Sequence, residues 1–306
     1  MTTFQEHLAE LKDEGRPVKA TRLLHLSHLA DEEERAFLDA WPEIQAERRR
    51  QVVRALAELA EDNVELNFDA IFLSCFSDAD PEVRVVGIRG LWEYEHRDLI
   101  EPLIRLLQSD DNATVRAEAA LALGRFVLQC ELGSLPDRYF RQVEQALQRV
   151  IDDDGEELEV RGRALEAIGA CSLPWVRRAI DGAYRSNSGR LRVSSIHAMG
   201  RNCDPSWLPI LFQELKSDDA EMRYEAALAC GLLAEETAVP HLAPLLEDED
   251  AEVREVTIAA LGEIGGRQAR AVLLRYLDDP SRGMREAVQE AISLVDFVED
   301  SLSFRP

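Results

Sequence analysis

A single phrase recurs along this chain at a nearly fixed interval, and a fixed interval constrains a fold more tightly than any local motif. Aligned on an arginine, the copies are "DADPEVRVVGIRGLW" (Arg84), "DDNATVRAEAALALG" (Arg116), "GEELEVRGRALEAIG" (Arg161), "SNSGRLRVSSIHAMG" (Arg192), "SDDAEMRYEAALACG" (Arg223), "DEDAEVREVTIAALG" (Arg254) and "DPSRGMREAVQEAIS" (Arg285). Subtracting successive arginine numbers gives intervals of 32, 45, 31, 31, 31 and 31 residues. Four equal intervals in a row mark one unit copied in tandem. Such a unit cannot bury its apolar face alone, so each copy covers its neighbour.

Within the unit, small residues stand three and six places after the arginine, as Ala226 and Ala229 do. Places three, four and seven carry the aliphatic stripe of a helix, for example Thr257, Ile258 and Leu261. A glycine eight places on (Gly124, Gly169, Gly200, Gly231, Gly262) weakens a helix interior by about 1 kcal/mol against alanine, so it predicts a close helix contact. A second helix precedes each arginine, as in "PSWLPILFQELKSD". Pro102, Pro209 and Pro240 fall in its first turn, where no amide hydrogen is missed, with Asp98, Ser206 and Thr237 as expected N-caps. Asp80, Asp219 and Asp250 are placed to cap the helix that carries the arginine.

A hairpin of this length carrying "D-x-x-x-V-R-x-x-A-x-x-A-L-G" resembles the HEAT repeat, in the short bacterial form known from phycobilin lyase subunits. The resemblance covers roughly residues 69 to 296. It implies an all-α fold, an α-solenoid of antiparallel helical hairpins, and a ladder in which motif arginines pair with turn aspartates. The arginines are accordingly read as structural.

Two regions depart from the period. Residues 1 to 40 read as three short helices forming an N-terminal cap, the third opening on the acidic "DEEE" that suits a helix N-terminus. The solenoid then spans 41–296, starting with a degenerate unit in which Arg49 takes the arginine place, Val52, Val53 and Leu56 form the stripe, and the capping turn is missing. About seven repeats follow, and residues 297–306 form a C-terminal tail. The 45-residue interval predicts that both helices between Arg116 and Arg161 gain a turn and that the loop at Glu131 to Pro136 lengthens.

Composition narrows the function. The formal charge of −24 opposes binding to phosphate backbones or anionic membranes. No run of residues has the length of a membrane span, and the opening residues lack the order of a signal peptide, so a cytoplasmic chain is expected, and the resemblance implies a bacterial one. Cys75, Cys130, Cys171, Cys203 and Cys230 form no CxxC pair and read as buried thiols. The phosphate-loop, dinucleotide, GxSxG and HExxH motifs are absent, and no histidine is followed by glutamate as in HEAT-type iron hydroxylases. His25 and His28 share a spacing of three but have no third ligand in the pattern. No catalytic residue, metal or cofactor is assigned.

The remaining candidate surface is the unpacked face of each second helix. If places two, five and nine after the arginine face the concave side, the stripe begins with Val86, Arg89 and Glu93. It continues through Glu118, Leu121, Arg125, Arg163, Glu166, Ser194, His197 and Arg201, and turns apolar at Leu228, Leu232, Val256 and Ala259. Arg89, Arg125, Arg163, His197 and Arg201 then offer local positive charge to a partner protein or peptide. Alternatively, these arginines pair with Glu118 and Glu166 across neighbouring helices, and the apolar end is covered by "VDFVEDSLSFRP". The expected function is a non-catalytic interaction scaffold. The resemblance implies an alternative, a lyase-like subunit or chaperone that handles a tetrapyrrole-bearing protein.

Overall fold

The computed structural model describes residues 4–13, 15–279 and 281–303. Every regular element among them is an α-helix or a short 3-10 turn, in two compact units, Met1–Ala164 and Leu165–Pro306.

The capping signals act where the sequence places them. Asp80 accepts hydrogen bonds from the Glu82 and Val83 amides, Asp250 from those of Glu252 and Val253, and Asp219 from that of Glu221. Asn112 and Ser188, in the same place of their repeats, cap in the same way. Pro102, Pro209 and Pro240 lie in the first turns of helices Ile100–Ser109, Leu208–Glu214 and Val239–Leu242. Asp98, Ser206 and Thr237 are not the N-caps, however. Each sits inside a 3-10 turn that leads into its helix, which moves the capping position back to His96, Asp204 and Glu235.

In the first unit, helices Phe4–Lys12, Ala20–Leu23 and Asp31–Ala40 match the three short helices expected before residue 41. In helix Ala46–Asp62 the stripe residues Val52, Val53 and Leu56 are fully buried, and its N-cap Gln45 makes no side-chain cap bond. Arg49 donates to the Ile44 carbonyl and to Asp78, whose other oxygen accepts from Trp41 Nε1 at 2.7 Å. Hairpins Asp69–Cys75 with Pro81–Gly90, and Ile100–Ser109 with Ala113–Glu131, follow. The long interval is filled as expected, by helices Ala113–Glu131 and Asp137–Asp152 of 19 and 16 residues.

A ladder ties these repeats together, and its carboxylate is not the capping one. The motif arginine donates backward to the carbonyl six places earlier in its own turn: Arg84 to Asp78 at 2.7 Å, Arg116 to Asp110 at 2.8 Å and Arg223 to Ser217 at 2.9 Å. It also grips forward, in two-pronged fashion, a carboxylate in the next repeat's turn. Arg84 holds Asp110 at 2.7 and 2.8 Å, Arg116 holds Glu156 at 2.7 and 3.0 Å, and Arg223 holds Asp248 at 2.8 Å through both nitrogens. Paired forks of this kind are the stronger class of charged hydrogen bond. Asp110 and Asp248 each accept, in addition, the amide two residues on, which fixes the turn. Where the ladder place carries serine the fork is missing: Ser217 stands there, and Arg192 lies over the Tyr184 ring and comes no nearer than 3.7 Å to Glu214. Arg161 turns instead to the Ile151 carbonyl and Asp154.

In the second unit the period-setting glycines explain themselves. A β-carbon on Gly200 would lie 2.7 Å from the Ala229 Cα, one on Gly231 2.9 Å from the Ala260 Cα, and one on Gly262 3.1 Å from the Ala291 Cβ. Place eight of each second helix therefore meets place six of the next, backbone nearly against backbone. Helices Gly189–Asn202 and Ala220–Leu233 end on Cys203 and Ala234, both left-handed, with φ of 51° and 53°. A Cβ is unfavourable in that region. Ala234→Gly is accordingly expected to stabilise the chain by about 1 kcal/mol, read as a rise in the urea midpoint at unchanged m-value.

The cysteine expectation needs correction at two positions. Cys75, Cys171 and Cys230 are buried, and burial pushes the Cys75 and Cys230 thiols up to about 12. Cys130 is half-buried and Cys203 is exposed, because a left-handed C-cap projects its side chain off the helix end. His25 and His28 diverge: the first stacks on His7 at 4.3 Å, and a ring nitrogen of the second bonds the Glu65 carbonyl at 3.0 Å. Helix Arg282–Ser303 runs through position 297, where the tail was expected to begin, and residues 304–306 lie outside the described residues.

Candidate functional site

In the first unit one groove collects Arg89, Arg125 and Arg163, together with Glu61, Ile88, Trp92, Glu118, Leu121 and Ala122. Helix Pro81–Gly90 presents Arg89 and stops at Gly90, whose β-carbon would lie 2.6 Å from the Phe72 ring. Trp92 follows in the turn and stands 53% exposed. Helix Ala113–Glu131 supplies Leu121, also exposed, and Arg125. A tryptophan left open beside an aliphatic side chain and cations is an arrangement typical of binding hot spots.

The three arginines differ in what they have to offer. Arg89 Nε and Nη2 hold Glu118 Oε2 at 2.9 and 2.7 Å, yet 62% of its side chain faces solvent. Arg163 pairs with Glu159 one turn away at 3.0 Å and is partly exposed. Arg125 is turned inward: Nε donates to the Ala122 carbonyl at 3.1 Å, and Nη1 donates to the carbonyls of Leu91, of Trp92 at 3.2 Å and of Tyr94 at 3.1 Å. Burial lowers its guanidinium from the usual arginine range. Arg125 thus closes the end of helix Pro81–Gly90 and holds the turn from which Trp92 projects.

His197 and Arg201 lie in the second unit, one turn apart on helix Gly189–Asn202. His197 Nδ1 is 3.1 Å from Glu225 Oε2, and Arg201 Nε is buried with no hydrogen-bond partner among the described residues. Of the stripe residues, Arg89, Glu93, Leu121, Leu232, Ala259 and Glu263 are exposed. Glu166, Ser194 and Val256 are buried, and the Glu166 carboxylate accepts from Ser194 Oγ at 2.7 Å and Arg190 Nη2 at 2.9 Å. Among the stripe arginines Arg89 pairs with Glu118, and Glu166 takes Arg190, which lies outside the stripe, among its partners.

The pattern of the repeat recurs in known proteins. The model of HEAT repeats matches residues 70–131, 176–250 and 239–302, more than half of the chain. The chain belongs to the HEAT-repeat family. Its fold class is all-α, an α-solenoid of tandem hairpins. No curated protein matches the HEAT-repeat chain by sequence. Among solved structures, the complex of CpcE and CpcF of phycocyanin lyase from Nostoc sp. PCC7120 matches with a TM-score of 0.54 at 15% identity, over 92% of this chain and 97% of that one. The Escherichia coli protein YibA gives 0.45 at 20% identity over 78% and 96%, and an engineered protein 0.40 at 19% over 96% and 88%. At such identities the likeness is one of fold.

Trp92 was missed by reasoning on charge, although the alignment carries its signal. It occupies the place where five other repeats of this HEAT-repeat chain have the packing glycine. A residue too large for that contact has to leave the stack. Among the described residues no helix is long and apolar enough to cross a membrane.

Proposed function

We propose that this HEAT-repeat protein is a non-catalytic scaffold that holds an acidic segment of a partner protein in the groove around Trp92, on the side assigned to the concave face. The carrying observation is the exposed indole next to Leu121, framed by Arg89, Arg125 and Arg163 in a chain of charge −24. The indole and Leu121 supply apolar area. Arg89 and Arg163 supply charge that favours carboxylates, and Arg125 keeps the Trp92 turn in place. His197 and Arg201 offer a further contact in the second unit. Nucleic acid is not proposed as partner, since the surrounding negative charge repels phosphate.

The test uses a fluorescein-labelled peptide of glutamate and leucine and reads anisotropy against the full chain. Trp92→Ala, and separately Arg89→Glu with Arg163→Glu, should each weaken binding about tenfold or more with circular dichroism unchanged. Equal affinity in all variants rules the groove out. The lyase-subunit alternative rests on resemblance of the repeat, and an unaltered absorbance spectrum of added bilin counts against it.

A further inference from the structure

A second groove, within the second unit, has the opposite charge. It runs along the seam between helices Ala251–Ile264 and Arg282–Ser303 and is floored by Ile258, Ala259, Gly262, Ala291, Leu294 and Phe297. The close approach of Gly262 to Ala291 makes the floor shallow and backbone-like. Helix Arg282–Ser303 reaches eighteen places past its arginine, whereas helix Ala251–Ile264 stops at ten, so it overruns its neighbour by about 12 Å at 1.5 Å per residue. Here Phe297 is 70% exposed and Leu294 is exposed beside it.

Three carboxylates line the same seam: Glu255 and Glu263 on one wall, Glu290 on the other. All three are exposed, and the described residues give none of them a salt bridge or side-chain hydrogen bond, although most arginines of this chain are so engaged. Glu255 and Glu263 are eight residues apart on one helix, which is about 12 Å along its axis. An apolar floor of that length with negative charges at its edges complements one ligand shape, a helix with an apolar stripe and basic residues about two turns apart. A second copy of this chain would bring its own −24 charge against the same carboxylates.

We infer that this seam docks one amphipathic helix of a partner protein, apolar on its buried side and carrying lysine or arginine at its flanks. The inference rests on the scaffold reading and adds a second site with a partner segment of opposite charge to the first. The probe is a labelled helical peptide of leucine and lysine at that spacing, titrated into the full chain and followed by anisotropy. Phe297→Ser and the pair Glu263→Lys with Glu290→Lys are each expected to raise its Kd about tenfold or more, while Trp92→Ala leaves it unchanged. All sites are solvent-facing, so unchanged circular dichroism and melting temperature verify the fold. Equal binding by every variant would mean diffuse attraction to an acidic surface and overturns the inference. Self-association in sedimentation that Phe297→Ser abolishes overturns it as well, by assigning the groove to a second copy. Binding of the glutamate–leucine peptide, lost in Trp92→Ala and kept in Phe297→Ser, reports separately on the first groove, so failure of either reading is recognised on its own.

Discussion

Arg223→Ala is expected to destabilise the chain by about 3–5 kcal/mol, whereas Arg254→Ala costs far less, though the two occupy the same place in adjacent repeats. The reason is the forward fork. Arg223 is 8% exposed and holds both oxygens of Asp248, so truncation strands a carboxylate whose side chain is itself only 10% exposed. Arg254 donates to the Asp248 and Glu249 carbonyls and has no carboxylate partner among the described residues. Urea denaturation of the two variants side by side is the measurement, and equal losses would show that the fork contributes nothing beyond the carbonyl bond. The pair also fixes a pH window. The Arg223 guanidinium holds the Asp248 carboxyl below the usual carboxylate range. A depressed folded value means the stabilisation is fully present above the unfolded value of about 4 and lost as pH falls through the lower folded one. The gap between wild type and Arg223→Ala should therefore be constant near neutrality and close only in acid.

Gly200→Val is expected to cost about 3 kcal/mol, the upper part of the range for overpacked cores, and to loosen the contact between helices Gly189–Asn202 and Ala220–Leu233. The first atom met by a new β-carbon is the Ala229 Cα at 2.7 Å, followed by the Ala229 Cβ at 2.9 Å. Backbone cannot rotate away as a side chain can, so the helices must separate. Gly182→Val is the control: a β-carbon there meets nothing within 4 Å, so that variant shows only the change in helix propensity. Thermal melts of both variants decide the matter, and similar melting temperatures would place the role of Gly200 elsewhere.

The architecture was legible because period, caps and stripe all repeat, and each copy checks the others. Asp80, Asp219 and Asp250 could be assigned as caps from spacing alone, since a cap acts within three residues of itself. The ladder partner was harder. Asp78 and Asp80 differ by two positions and look alike in one copy, but the first closes the fork and the second caps the helix. Serine at 186 and 217, in the ladder place, is the written trace of which residue does which. The candidate site was read only in part. Arg89, Arg125 and Arg163 do share one groove, yet charge alone could not show that Arg125 spends its donors on the carbonyls of the Trp92 turn. That bonding depends on where helix Pro81–Gly90 stops, which Gly90 and the bulk of Trp92 decide together.

Serine at position 217 also bears on how the second unit yields under load. Forked guanidinium–carboxylate contacts resist sliding of one hairpin along the next, because a lateral slip breaks two directional bonds at once. Between the hairpins bearing Arg192 and Arg223 the fork is absent, and single bonds, Tyr184 to Glu214 at 2.6 Å and His197 to Glu225 at 3.1 Å, flank the smooth meeting of Gly200 with Ala229. Smooth surfaces permit shear while they oppose separation. Elastic give is thereby greatest at the seams that lack a fork, those after Arg192 and Arg254, while the two hairpins joined by Arg223 and Asp248 move as a stiffer block.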